Sequence, residues 1–225
     1  MKNFRYISYF FYLSWHWNFG LAFFIIKHEI KGEKKYSIQT TGADELKHLG
    51  KNGIDISHAT IYMPVNYYIL EILMKEIRKL SSSEKILDLG CGKGRVMVVA
   101  AHFGFKKING IDFSEKLCKE AIKNTAKVQS LFPETSFKIE LQDAFYYKIP
   151  DDISVIFLFN PFDEVIVSGV LKNINESLQK KPRTLRILYA NPVHKKMFTD
   201  DGFIEIFHHK KLKYLEGSIL EKKAG

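Results

Sequence analysis

The run Lys85-Ile86-Leu87-Asp88-Leu89-Gly90-Cys91-Gly92-Lys93-Gly94-Arg95 decides the fold of this chain. Lys85 to Leu89 reads as a short buried strand. The glycines that follow let the backbone turn tightly and approach a ligand with no Cβ in the way. Arg95 to His102 is an apolar helix, and a helix start offers N–H groups that its own turns cannot satisfy. The spacing is G-x-G-x-G after an acid. A dinucleotide fingerprint G-x-G-x-x-G needs glycine at position 95, where arginine stands, and a phosphate loop needs G-x-x-x-x-G-K-[ST], which is absent.

Downstream, short strand-like runs alternate with amphipathic helices. Lys107 to Asp112 is a second strand. Ser114 is placed to cap a helix whose first turn carries Glu115, in keeping with the helix dipole, and that helix presents Leu117, Ala121, Thr125 and Val128. Ser136 to Leu141 is a third strand, and Ile153 to Phe159 a fourth, nearly all apolar as a central parallel strand should be. Val167, Leu171, Ile174 and Leu178 stripe the next helix, and Thr184 to Ala190 is a fifth strand. The alternation predicts an α/β fold with a doubly wound, mostly parallel sheet covered on both faces. Strand-like text around residues 203–207 and 213–220 predicts a closing antiparallel hairpin. In such sheets ligands sit at the carboxyl ends of the strands.

Upstream, residues 1–83 form an extension to a domain spanning 84–225. Tyr6 to Ile26 carries no Asp, Glu, Lys or Arg, and half of it is aromatic. Ser8, Ser14, His16 and Asn18 interrupt it, and aromatic side chains suit interfaces better than a lipid core. No small-residue cleavage site marks a signal peptide. Ile7, Phe11, Trp15, Phe19, Ala22 and Ile26 fall on one helical stripe, which predicts a helix packed on the domain, with a membrane-surface contact by residues 6–26 as the lesser alternative. Gly32 is expected to break that helix within the charged run 27–35. A polar loop follows over 36–42. Pro64 opens a helix with Val65, Ile69, Leu73, Ile77 and Leu80 at helical spacing, ended by Ser81, Ser82 and Ser83.

The chain has 225 residues, 46% apolar and 26% charged, with two cysteines, 14 glycines and 6 prolines. Disorder, a disulfide-stapled scaffold and low-complexity architectures are excluded by those proportions. The net charge of +9 attracts phosphate, acidic protein or anionic lipid without choosing among them. The eight histidines show no recognisable metal-ligand spacing, and no metal is expected.

The motif resembles that of the class I, seven-strand S-adenosylmethionine-dependent methyltransferases, whose first motif is an acid followed by G-x-G-x-G. Asp88, Gly90, Cys91, Gly92 and Gly94 match that loop. The resemblance runs over roughly residues 84–192. Asp112 ends the second strand where the family places the acid that grips the ribose hydroxyls. Asp143, followed by Ala144, stands where it places the acid near the adenine amine. Asn160-Pro161-Phe162 ends the fourth strand, where amine-directed members carry N/D-P-P-Y/F; only one proline is present here, so this match is partial. The resemblance implies S-adenosyl-L-methionine as cofactor and a Rossmann-like sheet of seven strands. Gly92 to Arg95 also resembles the histone-core-type lysine methyltransferases and their mitochondrial and prokaryotic relatives. Those carry a helical cover before the glycine motif, a part that Tyr36 to Thr41 and Tyr62 to Pro64 would play here.

The chemistry agrees with the resemblance. A carboxylate at Asp112 can accept from two hydroxyls, and Asp143 can accept from the adenine amine. Capping or turn formation is the plain alternative for both acids, and the accompanying glycine loop favours ligand roles. Cys91 and Cys118 read as packing residues. Methyl transfer needs orientation, close approach and a dry site more than a protein nucleophile. Asn160, with backbone carbonyls around Pro161, is the expected catalytic element, accepting from a target N–H; chain turning at Asn-Pro is its alternative. The expected acceptor is a protein lysine, followed by a nucleic-acid base and a small-molecule amine. A nicotinamide oxidoreductase or a non-catalytic cofactor-binding module is the more distant reading. A cytoplasmic location is expected.

Overall fold

The computed structural model describes residues 2–41, 63–159 and 162–224, with side chains from Tyr6 onward. Tyr62, Asn160 and Pro161 lie outside the described residues. The helices are α1 (Lys2–His16), α2 (Phe19–Tyr36), α3 (Tyr67–Leu80), α4 (Arg95–His102), α5 (Glu115–Val128), α6 (Glu164–Lys180) and α7 (Lys195–Asp200). The strands are β1 (Lys85–Leu89), β2 (Lys107–Asp112), β3 (Ser136–Leu141), β4 (Val155–Phe159), β5 (Leu185–Ala190), β6 (Ile204–Lys211) and β7 (Leu215–Lys222).

One seven-stranded sheet has the order β3-β2-β1-β4-β5-β7-β6. β1 to β5 are parallel, β7 runs antiparallel to β5, and β6 pairs antiparallel on the outside of β7. This is the doubly wound sheet with a terminal hairpin that the alternation predicts. The strand order reverses between β1, which pairs β2 on one side, and β4 on the other. That reversal places a crevice at the carboxyl end of β1. The expected strand limits hold to within a few residues; β4 begins at Val155 because Ile153 N–H is used in a turn to the Pro150 carbonyl.

Alternating side chains divide the core between the sheet's faces. Val155 and Phe157 pack with Met97, Val98, Ala121, Leu70 and Leu73 of the helices on one side. Ile156 and Leu158 pack with Val167, Val170, Ile174 and Phe198 on the other. Ser114 caps α5 as expected, its Oγ accepting from Leu117 N–H. In α3 the stripe Ile69, Leu73 and Ile77 is buried, while Leu80 at the helix end is exposed.

The amino-terminal region departs from the sequence expectation in three ways. The run 6–26 is two helices, because Asn18 adopts an extended conformation and caps α2 by accepting from Leu21 N–H. The chain folds back there, so the face that packs is set by the hairpin and not by the longest stripe. Tyr9, Leu13, Leu21, Ala22 and Ile25 are buried, whereas Ile7, Phe11, Trp15 and Phe19 of the expected packing stripe are exposed, Trp15 at 87%. Gly32 does not break α2. It sits mid-helix where any Cβ would overlap the Tyr67 ring, so glycine is required by a close approach. No helix among the described residues is long and apolar enough to cross a membrane.

Candidate active site

Three glycines of the loop after β1 hold positive φ: Gly90 at 81°, Gly92 at 53° and Gly94 at 78°. These are conformations that side chains disfavour, which is why glycine recurs at alternate positions. The loop spends its amides internally. Gly90 and Cys91 N–H both donate to the Ile111 carbonyl at 2.9 and 2.8 Å, Gly94 N–H donates to the Cys91 carbonyl, and Gly92 N–H donates to Asp112 Oδ2 at 2.9 Å. A diphosphate cradle needs those amides open. Two buried carboxyls, Asp88 and Asp112, flank the loop instead.

Asp112 sits at the end of β2, 5% exposed. Oδ1 accepts from Ser114 N–H at 2.9 Å and Oδ2 from Gly92 N–H. Each oxygen has a second lone pair left for a donor. Burial pushes its pKa up to about 6, against the lowering effect of the two amides. Asp88, on β1 opposite Gly110, is raised well above the carboxylate range, first by burial and then by the Asp112 charge. Its Oδ2 is buried with no hydrogen-bond partner among the described residues. An orphaned buried acceptor carries a penalty of about 1–3 kcal/mol, which a bound donor or cation would relieve.

Cys91 is buried against Gly110 and Met97, a packing contact as expected; a Cβ on Gly110 would come within 2.8 Å of Cys91 Cβ. Cys118 is buried on α5, near the Asp112 and Glu140 carbonyls. At the end of β3, Asp143 is exposed and its Oδ1 accepts from Phe145 N–H at 2.8 Å, a turn interaction. Ala144 beside it is buried. Asp88, Asp112 and the glycines come together around the β1 and β2 ends, and Asp143 with Ala144 follows β3, the next strand over. The expected catalytic pair Asn160 and Pro161 falls outside the described residues, directly after Phe159.

Arg95 takes a part that the sequence reading did not assign. It is 2% exposed at the first position of α4. Its guanidinium forks onto Glu29 of α2, Nη1 to Oε1 at 2.9 Å and Nη2 to Oε2 at 2.6 Å. Nη1 also donates to the Val65 carbonyl, Nε to Thr40 Oγ1, and the group stacks 4.0 Å over the Tyr67 ring. Glu33 of α2, meanwhile, accepts from both Thr40 and Thr41 N–H at 2.7 Å. The residue that closes the glycine motif therefore pins the amino-terminal helices to it. The only sequence signal was an acid at position 29 and an arginine where a dinucleotide site wants glycine.

A profile of the family described as a methyltransferase domain matches residues 80–214. The chain belongs to that family. A curated protein-lysine N-methyltransferase of Saccharolobus islandicus (strain REY15A) is 29% identical to this chain over 114 residues, 48% of this chain and 59% of that protein. Among solved structures, the PH0226 protein of Pyrococcus horikoshii OT3 superposes with a TM-score of 0.54 at 16% identity, covering 69% of this chain and 89% of that one. The Pyrococcus abyssi tRNA (uracil-54, C5)-methyltransferase, in complex with S-adenosyl-L-homocysteine, gives 0.50 at 16%, covering 71% of this chain and 39% of that one. These likenesses establish the seven-stranded methyltransferase fold. The chain spans less than two thirds of the curated relative and well under half of the tRNA enzyme. S-adenosyl-L-methionine is the cofactor of such domains, and the donor set here fits it: buried acids and an orphaned carboxyl oxygen suit a ligand with hydroxyls, an ammonium and a sulfonium, and oppose a diphosphate.

Proposed function

We propose that this chain is an S-adenosyl-L-methionine-dependent N-methyltransferase whose acceptor is a protein lysine. The observation that carries the cofactor half is the glycine loop with its amides already bonded and two buried carboxyls beside it. In this reading Asp112 accepts from both ribose hydroxyls with its remaining lone pairs. Asp88 faces the methionine end with its unsatisfied oxygen. Gly90, Cys91, Gly92 and Gly94 present backbone at close range, and Asp143 and Ala144 meet the adenine. The bound cofactor supplies an activated methyl group on a sulfonium.

The remaining work belongs to the protein. Asn160 and the backbone about Pro161 would accept from the target nitrogen and aim its lone pair. A lysine must first lose a proton held with a reference pKa of about 10.4, and a dry, apolar surround lowers it. The extension 1–83 acts as a cover on the domain 84–225, tied down by Arg95 and Glu29. The curated lysine methyltransferase relative supports the acceptor class. The likeness to a tRNA methyltransferase and the +9 charge favour a nucleic-acid base as the second reading.

The test is transfer of labelled methyl from S-adenosyl-L-methionine into a cell lysate, followed by separate protease and nuclease digestion. Release by protease as methyl-lysine is the expected result. Release by nuclease replaces the acceptor, and no cofactor binding by calorimetry overturns the reading altogether.

A further inference from the structure

A cavity of about 280 Å³ lies at the carboxyl end of the sheet, between the amino-terminal hairpin and the ends of β4, β5 and β7. Tyr9 and Leu13 of α1 and Leu21 and Ile25 of α2 form one wall, and Phe159 and Ala190 form the sheet side. Leu89 pairs with Leu158 across β1 and β4, so Phe159 ends the strand next to the one that runs into the cofactor loop. The cavity thus adjoins the place where a methyl group would be presented.

Both carboxylates of its lining, and Asn66, are already committed, while Asn191, Lys213 and Tyr214 complete the polar part of the wall. The Glu29 carboxylate is spent on Arg95 and on the Thr41 hydroxyl. Glu216 accepts from Lys210 Nζ at 2.7 Å and bonds His208 Nε2 at 3.1 Å. Asn66 Oδ1 accepts from Tyr68 N–H. A flipped base would need several hydrogen bonds along its edge. This lining offers chiefly apolar wall, and the volume falls just below the range of about 300–1,000 Å³ typical of drug-sized ligands. Such a space suits a slender apolar stem with one polar end.

We infer that this cavity is the acceptor channel, that it admits an unbranched alkylamine side chain, and that the hairpin α1–α2 reads the acceptor. The inference rests on the methyl-transfer reading above and adds the site and the chemistry it selects. Arg95 and Glu29 are positioning residues in it, holding the channel wall against the glycine loop.

Two cavity-filling variants test it. Met63→Trp adds an indole at a half-buried lining position before α3, and Ile25→Trp does so from α2. Lysate from cells lacking this protein is incubated with labelled S-adenosyl-L-methionine and each full-length variant, then hydrolysed and resolved into methyl-lysine and methylated bases. Cofactor affinity is measured by calorimetry and folding by thermal melting. The expected result is a fall in methyl-lysine of at least ~20-fold, the scale on which a filled hydrophobic pocket discriminates, with cofactor affinity and melting unchanged. A folded, cofactor-binding Met63→Trp that labels lysine like the wild type overturns the channel; should Ile25→Trp fail to fold, Met63→Trp decides alone. Label on a base overturns the alkylamine assignment. Wild-type protein that binds the cofactor but labels nothing overturns the methyl-transfer reading itself, an outcome distinct from the other two.

Discussion

Replacing Arg95 with methionine removes a guanidinium that is 2% exposed and leaves Glu29, 1% exposed, as a buried carboxylate without its ion partner. Breaking one side of such a pair costs about 3–5 kcal/mol, because the surviving charge stays desolvated. The loss also strips donors from Thr40 Oγ1 and the Val65 carbonyl, which favours the upper part of that range. For a chain of this size each kcal/mol shifts the melting temperature by about 2–4 °C, so a drop of about 6–20 °C is expected. Glu29→Gln alone leaves Arg95 buried without its counter-charge and also destabilises. The double variant Arg95→Met with Glu29→Gln removes both charges and keeps an acceptor for the Thr41 hydroxyl. It should recover at least ~2 kcal/mol relative to the sum of the single changes, since contacting residues couple strongly. Urea unfolding of the four proteins measures this. Additive effects within ~0.5 kcal/mol, or an Arg95→Met loss below ~1 kcal/mol, would refute the claim that this pair fastens the extension to the glycine loop.

Asp112→Ala should weaken S-adenosyl-L-methionine binding by about 1–3 kcal/mol in calorimetry, since a buried charge-assisted acceptor is lost. Acidification should do the same to the wild type: with the Asp112 pKa at about 6, affinity is flat above that value and weakens by up to about tenfold per pH unit below it. Because this pKa is raised in the folded state, the group's contribution to apo-protein stability has the opposite slope. It is fully present below the unfolded carboxyl value of about 3.9 and lost as pH rises through about 6; thermal melting of Asp112→Ala against wild type across that window measures the difference. Gly32→Ala should destabilise by about 1–3 kcal/mol despite alanine's better helix propensity, because its Cβ collides with Tyr67; an unchanged or raised melting temperature would contradict the close approach. Asn160→Ala should leave cofactor binding intact in calorimetry while methyl transfer falls steeply, and unchanged turnover would remove Asn160 from the acceptor site.

Local pattern carried the central domain. Strands of five or six largely buried residues, a serine that caps, and glycines at alternate positions after an acid are dictated by short-range sterics and by burial on both faces, so β1, α4, β2 and α5 were legible residue by residue. The place of Asp112 was legible too, because an acid that closes a buried strand turns to the amides of the adjacent loops, here Gly92 and Ser114. The amino-terminal helices were not. Helical spacing there offers two apolar faces, and only the fold-back at Asn18 and the docking onto α3 decide that Tyr9 and Leu13 go inside while Phe11 and Trp15 stay out. The same holds for Gly32, which reads as a breaker until Tyr67, 35 residues away, arrives to fill the space a side chain would take. Arg95 and Glu29 are 66 positions apart, and no local propensity links them. The sequence by itself determined the sheet and the kind of ligand its first turn can seat; which side chains wall the neighbouring cavity was decided by tertiary structure alone, since long-range packing joins segments whose own preferences leave the partner open.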